Sequence, residues 1–569
     1  MKLLPRDAPP RTVWALEQTG VHPLLARLYA GRGVQDPHEL DNSLKHLLPP
    51  SGMKGMGQAA TLLADAIAAQ KHLCIVADYD CDGATACAVA LRGLALLGAQ
   101  HVHFIVPDRV VDGYGLTPSI SQRVHASGAQ VLITVDNGIA SVEGVAAAQA
   151  LGLQVLVTDH HLPGPELPQA DALVNPNQPG CTFQSKSMAG VGVMFYVLLA
   201  LRAELRTRGV FNKDTEPKLD GLLPLVALGT VADVVKLDAN NRRLVAQGLQ
   251  RMQRGGLPPG LSALFKVAGR DAARASSQDM GFAIGPRINA AGRLADMTLG
   301  IECLRTDDAG VALRLAEQLD AINRERRSLE GDMREQALLI AESLMDTQDE
   351  PPAALCVFDE EFHEGVVGIV AARLKDLHYR PCFVFAASES EGQAVLKGSG
   401  RSIPGFHLRD ALDAVVKMHP DLLLRFGGHA MAAGCTLLED DLATFEIALQ
   451  QIAEQWLSPA TLAQSLETDG SLDATYMRPD VVLELQNQVW GQGFAPPVFQ
   501  DQVQVLGQRI VGEKHLSLKL KLHGKDVDGI WFGRTEPLPA QALLAYRLDI
   551  NTWQGREKLQ LQIETMQAA

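Results

Sequence analysis

Acidic and histidine side chains follow three short apolar segments of this sequence, at the points where predicted strands end. They are Asp78, Asp80 and Asp82 after CIVA, Asp136 after VLITV, and Asp159, His160 and His161 after VLVT. Because the carboxyl ends of parallel strands meet at one rim of a sheet, we expect these side chains to lie close together. Carboxylates with a minority of imidazoles suit Mn²⁺ or Mg²⁺ better than zinc, which prefers nitrogen and sulfur. The pattern therefore predicts a site for divalent cations.

Each of these segments has another interpretation when it is taken alone. The segment from Asp78 to Gly83 matches the first half of a calcium-binding loop, but Val89 stands where that loop needs a bidentate Glu. The same segment could be a solvated acidic turn, Asp136 could belong to a strand-end turn, and the two histidines could lie in a surface loop or in the core. Their occurrence at successive strand ends favours the metal site.

Asp233 interrupts the strongly apolar run LPLVALGTVADVVKL. Burial of an unpaired carboxylate costs several kcal/mol, so this side chain needs a partner. A metal ion is the natural partner, and a buried salt bridge is the alternative.

Four short apolar segments indicate the strands that must position these residues. They are CIVAD, HFIVP, VLITVD and VLVTD, and they alternate with helical segments such as residues 84–97. This alternation predicts a doubly wound parallel sheet of the α/β class in residues 51–307, after an N-terminal segment at 1–50. Residues 308–345 are rich in helix formers and contain no proline, which predicts a long connecting helix. A second, smaller α/β pattern occupies residues 346–463.

From residue 464 to residue 569 the hydrophobic pattern shifts towards a period of two, most clearly at 516–523. Leucines there alternate with Ser517, Lys519, Lys521 and His523, which predicts a half-buried strand of a small antiparallel barrel or sandwich. Between residues 508 and 534 there are six Lys or Arg against three Asp or Glu. The basic outer face could contact nucleic acid or simply be solvated.

Size and charge limit the class of protein. A chain of 569 residues exceeds a single core, so several domains are expected. The net charge of −15 argues against coating of nucleic acid by bulk electrostatics, although it leaves room for a local basic channel. The opening residues lack a secretory signal and the apolar run 188–201 is too short to span a membrane, so we expect a cytoplasmic protein without membrane contact.

Six segments together resemble the DHH phosphoesterase superfamily, and within it the RecJ family of exonucleases. They are ADYDCDGATA at 77–86, PDRVVDGYG at 107–115, TVDNG at 134–138, TDHH at 158–161, ALGTVADVVKL at 227–237 and IGPRINAAGRL at 284–294. The resemblance covers roughly residues 40–569. Ala77 replaces a Gly that is common in the family, which leaves the ligands in place. The resemblance implies a DHH catalytic domain, a DHH-associated domain and a C-terminal OB-fold.

The resemblance also implies two divalent ions, with Mn²⁺ favoured and Mg²⁺ as the alternative. Asp136 would bridge the two ions, Asp78 and Asp80 would favour one, and Asp82, His160 and Asp233 would favour the other. The two remaining residues, His161 and Asp159, would have catalytic roles. His161 would contact the metal shell or the scissile phosphate, and Asp159 would orient the histidines.

The residues that would hold the substrate lie in three parts of the chain. They are Arg109, Tyr114, Arg287, Asn289 and Arg293 in the first domain, Arg401, Ser402, Gly427, Gly428 and His429 in the second, and Lys519 and Lys521 in the third. Arginine recognises phosphate through paired N–H donors. The alternatives are a surface ion pair of Arg109 with Asp108 or Asp112, and ordinary glycine-containing loops or tight turns for the other motifs.

By this resemblance the protein is expected to degrade single-stranded DNA from 5′ to 3′ in recombination and repair, with single-strand-binding protein and a helicase as partners. A small-molecule or oligoribonucleotide phosphodiesterase of the same superfamily is the alternative, but such proteins are usually only the two catalytic lobes. A non-catalytic binding protein on a degenerate fold would have lost ligands, and all expected ligands are present.

Overall fold

The chain begins with elements that pack against its far end. In the computed structural model, which describes residues 1–108, 112, 114–346, 351–390, 392–553 and 556–567, the first elements are β1 (Lys2–Pro5), α1 (Pro10–Gln18) and α2 (Pro23–Ala30). Three short 3₁₀ turns, at Pro37–Leu40, Leu44–His46 and Pro50–Gly52, then lead into the first domain.

The first domain contains the parallel sheet that the sequence predicts. Its elements are α3 (Met56–Ala68), β2 (Leu73–Ala77), α4 (Cys81–Leu96), β3 (Val102–Ile105), α5 (Pro118–Ala126), β4 (Val131–Val135), α6 (Val142–Ala150), β5 (Gln154–Thr158) and β6 (Ala172–Val174). The strand order is β3-β2-β4-β5-β6, and every pairing is parallel. The carboxyl ends of β2, β4 and β5 are therefore adjacent, which brings the three acidic segments to one rim.

Helices complete the first domain on the side of the rim. They are α7 (Gly190–Thr207), α8 (Leu223–Ala232), α9 (Ala239–Gln253), α10 (Pro259–Val267), α11 (Ser277–Asp279), α12 (Gly285–Leu294) and α13 (Thr298–Arg305). The 38-residue helix α14 (Ala309–Asp346) follows and confirms the long helix predicted from the sequence.

The second domain has a mixed five-stranded sheet. Its elements are β7 (Leu355–Phe358), α15 (Val367–His378), β8 (Cys382–Ser390), β9 (Gln393–Arg401), α16 (Leu408–Met418), β10 (Arg425–Gly428), β11 (Ala432–Leu437) and α17 (Leu442–Trp456). The glycines of its two motifs, Gly400, Gly427 and Gly428, lie in strands and not in the tight turns that the motifs also allowed. A Cβ at Gly398 would lie 2.3 Å from the ring of Phe385, and one at Gly400 would lie 2.5 Å from Phe383. The glycines of β9 thus make room for aromatic rings of the neighbouring strand.

The third domain is a closed barrel, as the sequence predicts. Its elements are β12 (Ser465–Thr468), α18 (Pro479–Gln486), β13 (Phe499–Val511), β14 (His515–Leu522), β15 (Lys525–Trp531), β16 (Gln541–Trp553) and β17 (Arg556–Gln567). The barrel order is β13-β14-β15-β17-β16, and the leucines at 516, 518, 520 and 522 are all buried. Outside the barrel, β12 pairs in parallel with β1. This pairing joins the amino end of the chain to the start of the third domain.

Candidate metal centre and the adjoining cleft

The first acidic loop is built around its glycine. Asp80 caps the amino end of α4, and its carboxylate accepts a hydrogen bond from the Gly83 amide at 3.0 Å. A Cβ at position 83 would lie 2.5 Å from the carbonyl oxygen of Asp78, so only glycine fits there. The cap places Asp82 in the first turn of α4, where it is fully buried.

The amino end of α7 holds two of the carboxylates. Asp82 accepts hydrogen bonds from the Gly190 and Val191 amides at 2.5 and 2.9 Å, and these unsatisfied amides of a first helical turn favour negative charge. Asp136 has a left-handed backbone with φ of 64°. Its side chain packs against Gly190, where an added Cβ would come within 2.6 Å of the Asp136 Cβ. Close approach of α7 thus depends on glycine at 190.

A buried carboxylate fixes the two histidines. Asp159 accepts hydrogen bonds from the backbone amides of Ile139, His160 and His161, and lies 2.8 Å from Nδ1 of His161. This arrangement fits the orienting role expected of Asp159, and such carboxylate–imidazole contacts set ring orientation.

His160, the first histidine of the pair, points into the acidic cluster. Nε2 of His160 lies 3.0 Å from Asp136 Oδ1, 3.5 Å from Asp233 Oδ2 and 3.8 Å from Asp82 Oδ2. Asp233 directly follows the last residue of α8, and its side chain is 19% exposed. Among the described residues no lysine or arginine forms an ion pair with Asp233. The structure therefore does not support a buried salt bridge to a lysine or arginine, which was the alternative to a metal ion.

Four polar atoms at this rim are buried without a hydrogen-bond partner among the described residues. They are Asp78 Oδ1, Asp136 Oδ1, His160 Nε2 and Asp233 Oδ2. Buried polar groups normally have partners, and atoms of these types are metal ligands. Their ligand atoms form three groups within 4.8 Å: Asp78, Asp80 and Asp136; Asp82, His160 and Asp233; and Asp136, His160 and His161. The donor set therefore fits divalent cations, and Asp136, which belongs to two of the three groups, would contribute to more than one of them.

The electrostatics of the cluster show why it needs cations. Burial, and then the charge of neighbouring carboxylates, raises the pKa of Asp78, Asp136 and Asp233, and raises the pKa of Asp82 to about 7. Burial followed by His161 lowers the pKa of His160 to about 4. A neutral imidazole is the form that binds a metal, and positive ions would offset the repulsion between the carboxylates.

Two of the predicted first-domain substrate residues, Arg109 and Tyr114, belong to the segment 107–115. The Tyr114 hydroxyl is 3.2 Å from Nδ1 of His161 and 3.4 Å from the Asp136 carbonyl oxygen. Tyr114 is half exposed, so it borders the metal centre and remains open to a substrate. Arg109 lies outside the described residues.

Helix α12 is placed differently from the expectation. The Asn289 side-chain oxygen accepts a hydrogen bond from the Cys81 amide at 2.7 Å, so this residue holds the first acidic loop. Arg287 is buried, and it donates to Asp320 of α14 at 2.9 Å and to the Ala283 carbonyl at 2.6 Å. Sequence reasoning could not find Cys81 and Asp320 as partners because each lies far along the chain from the residue that it contacts.

A cavity of about 760 Å³ separates the first domain from the second. Tyr79 and Arg293 line it on one side, and Glu364, Lys397, Ser399 and Arg401 line it on the other. Arg293 donates to the Gly365 carbonyl at 3.2 Å and so joins the two domains. Arg401 donates to the Ser399 hydroxyl at 3.1 Å and to its neighbour's carbonyl. Sequence reasoning missed Lys397 and Ser399, although both share a strand with Arg401 at alternate positions, which is the signal that could have found them.

The remaining predicted residues of the second domain differ in exposure. Ser402 is buried and donates to the Phe406 carbonyl at 2.6 Å, so it stabilises a turn and does not face the cavity. Burial, and then the charges of His161 and His407, lowers the pKa of His429. Gly427 and Gly428 belong to β10, and Gly428 has φ of 135°.

The basic face of the barrel is partly neutralised. Lys519 forms an ion pair with Asp528, which lies opposite it on β15. Lys521 is exposed and lies opposite Asp526. The strand therefore carries less net positive charge than its own sequence indicates, because its partner strand contributes acidic residues.

Comparison with known proteins decides the family. Three family models match: the DHH family, N-terminal domain, at residues 72–230, the DHHA1 domain at 351–457 and the RecJ OB domain at 468–565. A single-stranded-DNA-specific exonuclease RecJ from Salmonella typhimurium is 45% identical over 95% of both chains. The chain belongs to the RecJ family. None of its described helices is both long enough and apolar enough to cross a membrane.

Two solved structures of RecJ from Thermus thermophilus share the fold along the whole chain. The complex with Mn²⁺ has a TM-score of 0.82 at 29% identity, and the complex with Mg²⁺ has a TM-score of 0.77 at 28% identity. Each match covers 100% of this chain and 79% or 78% of the solved one.

Proposed function

We propose that this member of the RecJ family is a metal-dependent exonuclease that hydrolyses single-stranded DNA from the 5′ end. The observation that carries the proposal is the set of orphaned ligand atoms at the sheet rim, which fits two cations sharing Asp136. Similar RecJ structures contain Mn²⁺ or Mg²⁺, which supports these two ions as cofactors.

The residues of the chain have distinct roles in this reaction. Divalent cations bound here supply Lewis-acid activation of water and neutralise charge on the phosphate. Asp78 and Asp80 would hold one ion, and Asp82, His160 and Asp233 the other, with Asp136 shared. Asp159 orients His161, and His161 and Tyr114 together face the position of the scissile phosphate.

The cavity between the first and second domains would bind the 5′ end of the DNA strand. The cavity has a volume of about 760 Å³, and Arg401 and Ser399 in its lining suit a terminal phosphate, whereas Lys397 is paired with Glu364 at 3.0 Å. Arg109 would contribute from the first domain. We expect Arg401→Ala to reduce the preference for 5′-phosphorylated over 5′-hydroxyl ends, whereas the exposed Arg478→Ala should leave it unchanged. An unaltered preference in Arg401→Ala would place the phosphate elsewhere.

The polymer substrate is favoured over a small molecule by the barrel, which family-model comparison matches to the RecJ OB domain. Barrels of this type bind single strands through basic grooves and aromatic stacking. Roles in recombination and repair in the cytoplasm, with single-strand-binding protein and a helicase as partners, follow as further parts of the proposal.

The proposal is tested by hydrolysis of end-labelled DNA with Mn²⁺ or Mg²⁺. A 5′-labelled single strand should release labelled mononucleotide at once, a 3′-labelled strand should shorten progressively, and blunt duplex should resist. Equal attack on duplex, or initial release of the 3′ label, would contradict it. Hydrolysis of only dinucleotides would favour the small-molecule alternative.

A further inference from the structure

A short π-helical turn, Met280–Ile284, packs beside the metal centre. A Cβ at Gly281 would lie 3.4 Å from Cγ1 of Val231, so the turn is in contact with the last residues of α8. Asp233, a proposed metal ligand, directly follows that helix. Single π turns within a helix, such as this one, occur frequently at functional sites.

Two apolar side chains here are turned towards solvent. Phe282, in the π turn, is 76% exposed, and Val234, next to Asp233, is 61% exposed. Val234 also has φ of 61°, a left-handed conformation that is strained for a β-branched residue. Exposure of a large aromatic ring forgoes the free energy of burial, about 2 kcal/mol for such a side chain. Solvent exposure and backbone strain therefore both occur at Val234, which directly follows the proposed metal ligand Asp233.

The segments that carry these side chains are flanked by contacts between the first domain and the barrel domain. Just beyond Val234, the Leu237 amide donates to the Gln492 carbonyl at 2.8 Å, in the segment that leads into the barrel. On the other side, Arg274 precedes the π turn and forms an ion pair of 3.7 Å with Glu557 of the barrel. Both flanking segments therefore touch the third domain.

We propose that the exposed ring of Phe282 forms a stacking subsite for an unpaired nucleobase of the DNA strand. The inference rests on the proposed function, since only a single-stranded substrate offers free base faces. An aromatic ring stacks on any base and needs no hydrogen-bond pattern, which suits a nuclease without sequence preference. Bases of a duplex are already stacked and paired, so this subsite also disfavours double strands.

The test uses full-length protein and single strands that carry 2-aminopurine at successive positions from the 5′ end, with metal chelated to prevent hydrolysis. Stacking quenches this base, so one position should lose fluorescence on binding to the wild type. Phe282→Ala should abolish that quenching and weaken binding at least about five-fold, the lower end of what one aromatic stack contributes. Phe282→Trp should restore both. Leu339→Ala, at a 68% exposed site on the long helix α14, is the matched control and should change neither.

An abasic nucleotide at the quenched position provides a second readout. It should weaken binding to the wild type and have little further effect on Phe282→Ala. If Phe282→Ala keeps the quenching and the affinity of the wild type, the stacking subsite is wrong, and a contact with a protein would better account for the exposed ring. Failure of the wild type to bind or hydrolyse single strands would instead contradict the proposed function.

Discussion

At the scale of single residues, the types and positions of the metal ligands were predictable, but the roles of their supports were not. The sequence placed Asp78, Asp136 and His160 at successive strand ends, and the structure brings all three to one rim. Asn289 is predicted to contact the substrate, and this stays a prediction. Its side-chain oxygen also accepts a hydrogen bond from the Cys81 amide, because α12 docks on the acidic loop, and no local pattern encodes that contact.

The new role of Asn289 leads to a prediction about metal affinity. Asn289→Ala should weaken Mn²⁺ binding by roughly ten-fold or more, as loss of a supporting contact typically does, and should leave single-strand affinity in chelator unchanged. Calorimetric titration with Mn²⁺ measures the first quantity and fluorescence anisotropy the second. Asn487→Ala, at an exposed helix end, is the control. Normal Mn²⁺ affinity with weakened DNA binding would restore the original interpretation of Asn289.

At the scale of elements, strands and helices with a clear hydrophobic period were predicted, including β2, β4, β5, α14 and β14. The glycine-rich segments of the second domain were not recognised as strands. Their small residues are needed because aromatic rings of a neighbouring strand pack against them, and the local sequence does not reveal that contact. The same reasoning applies to α7, whose amino end reaches the acidic cluster only because Gly190 lacks a side chain.

Gly190→Ala should therefore disrupt the metal centre. The added methyl would overlap Asp136 and force α7 or the carboxylate to move, at a cost of about 1–3 kcal/mol in unfolding free energy together with loss of hydrolysis. Gly57→Ala is the matched control, since a Cβ there meets nothing within 4 Å in helix α3 and should be neutral or stabilising. Full activity of Gly190→Ala in a nuclease assay would show that the packing at α7 is less tight than described.

At the scale of the whole molecule, the three-domain order was predictable from shifts in hydrophobic period, whereas the contacts between distant parts were not. The pairing of β1 with β12, and the ion pair between Arg32 and Asp469 at 2.7 Å, tie the amino end to the third domain. Leu472 and Trp490 of that domain share a hydrophobic core with the first. Removal of the third domain would therefore expose the core, so point substitutions test the barrel better.

The barrel's contact with DNA can be measured by its salt dependence. Each lost phosphate contact should reduce the log–log slope for single-strand binding by about 0.7. Lys521→Ala should have the larger effect, because Asp528 already neutralises Lys519. Lys213→Ala, on an exposed loop of the first domain, should have none. An unchanged slope in the Lys519→Ala, Lys521→Ala double variant would exclude this strand as a DNA-binding face.

The central claim, a centre for two cations that share Asp136, is tested most directly by calorimetric titration with Mn²⁺. The wild type should bind two ions per chain. Asp136→Ala should lose high-affinity binding of both, because Asp136 belongs to two of the three ligand groups and its Oδ1 lies 3.0 Å from Nε2 of His160 in the remaining one, while the exposed Asp65→Ala should still bind two. A single ion in the wild type, or two ions bound with undiminished affinity in Asp136→Ala, would contradict the account.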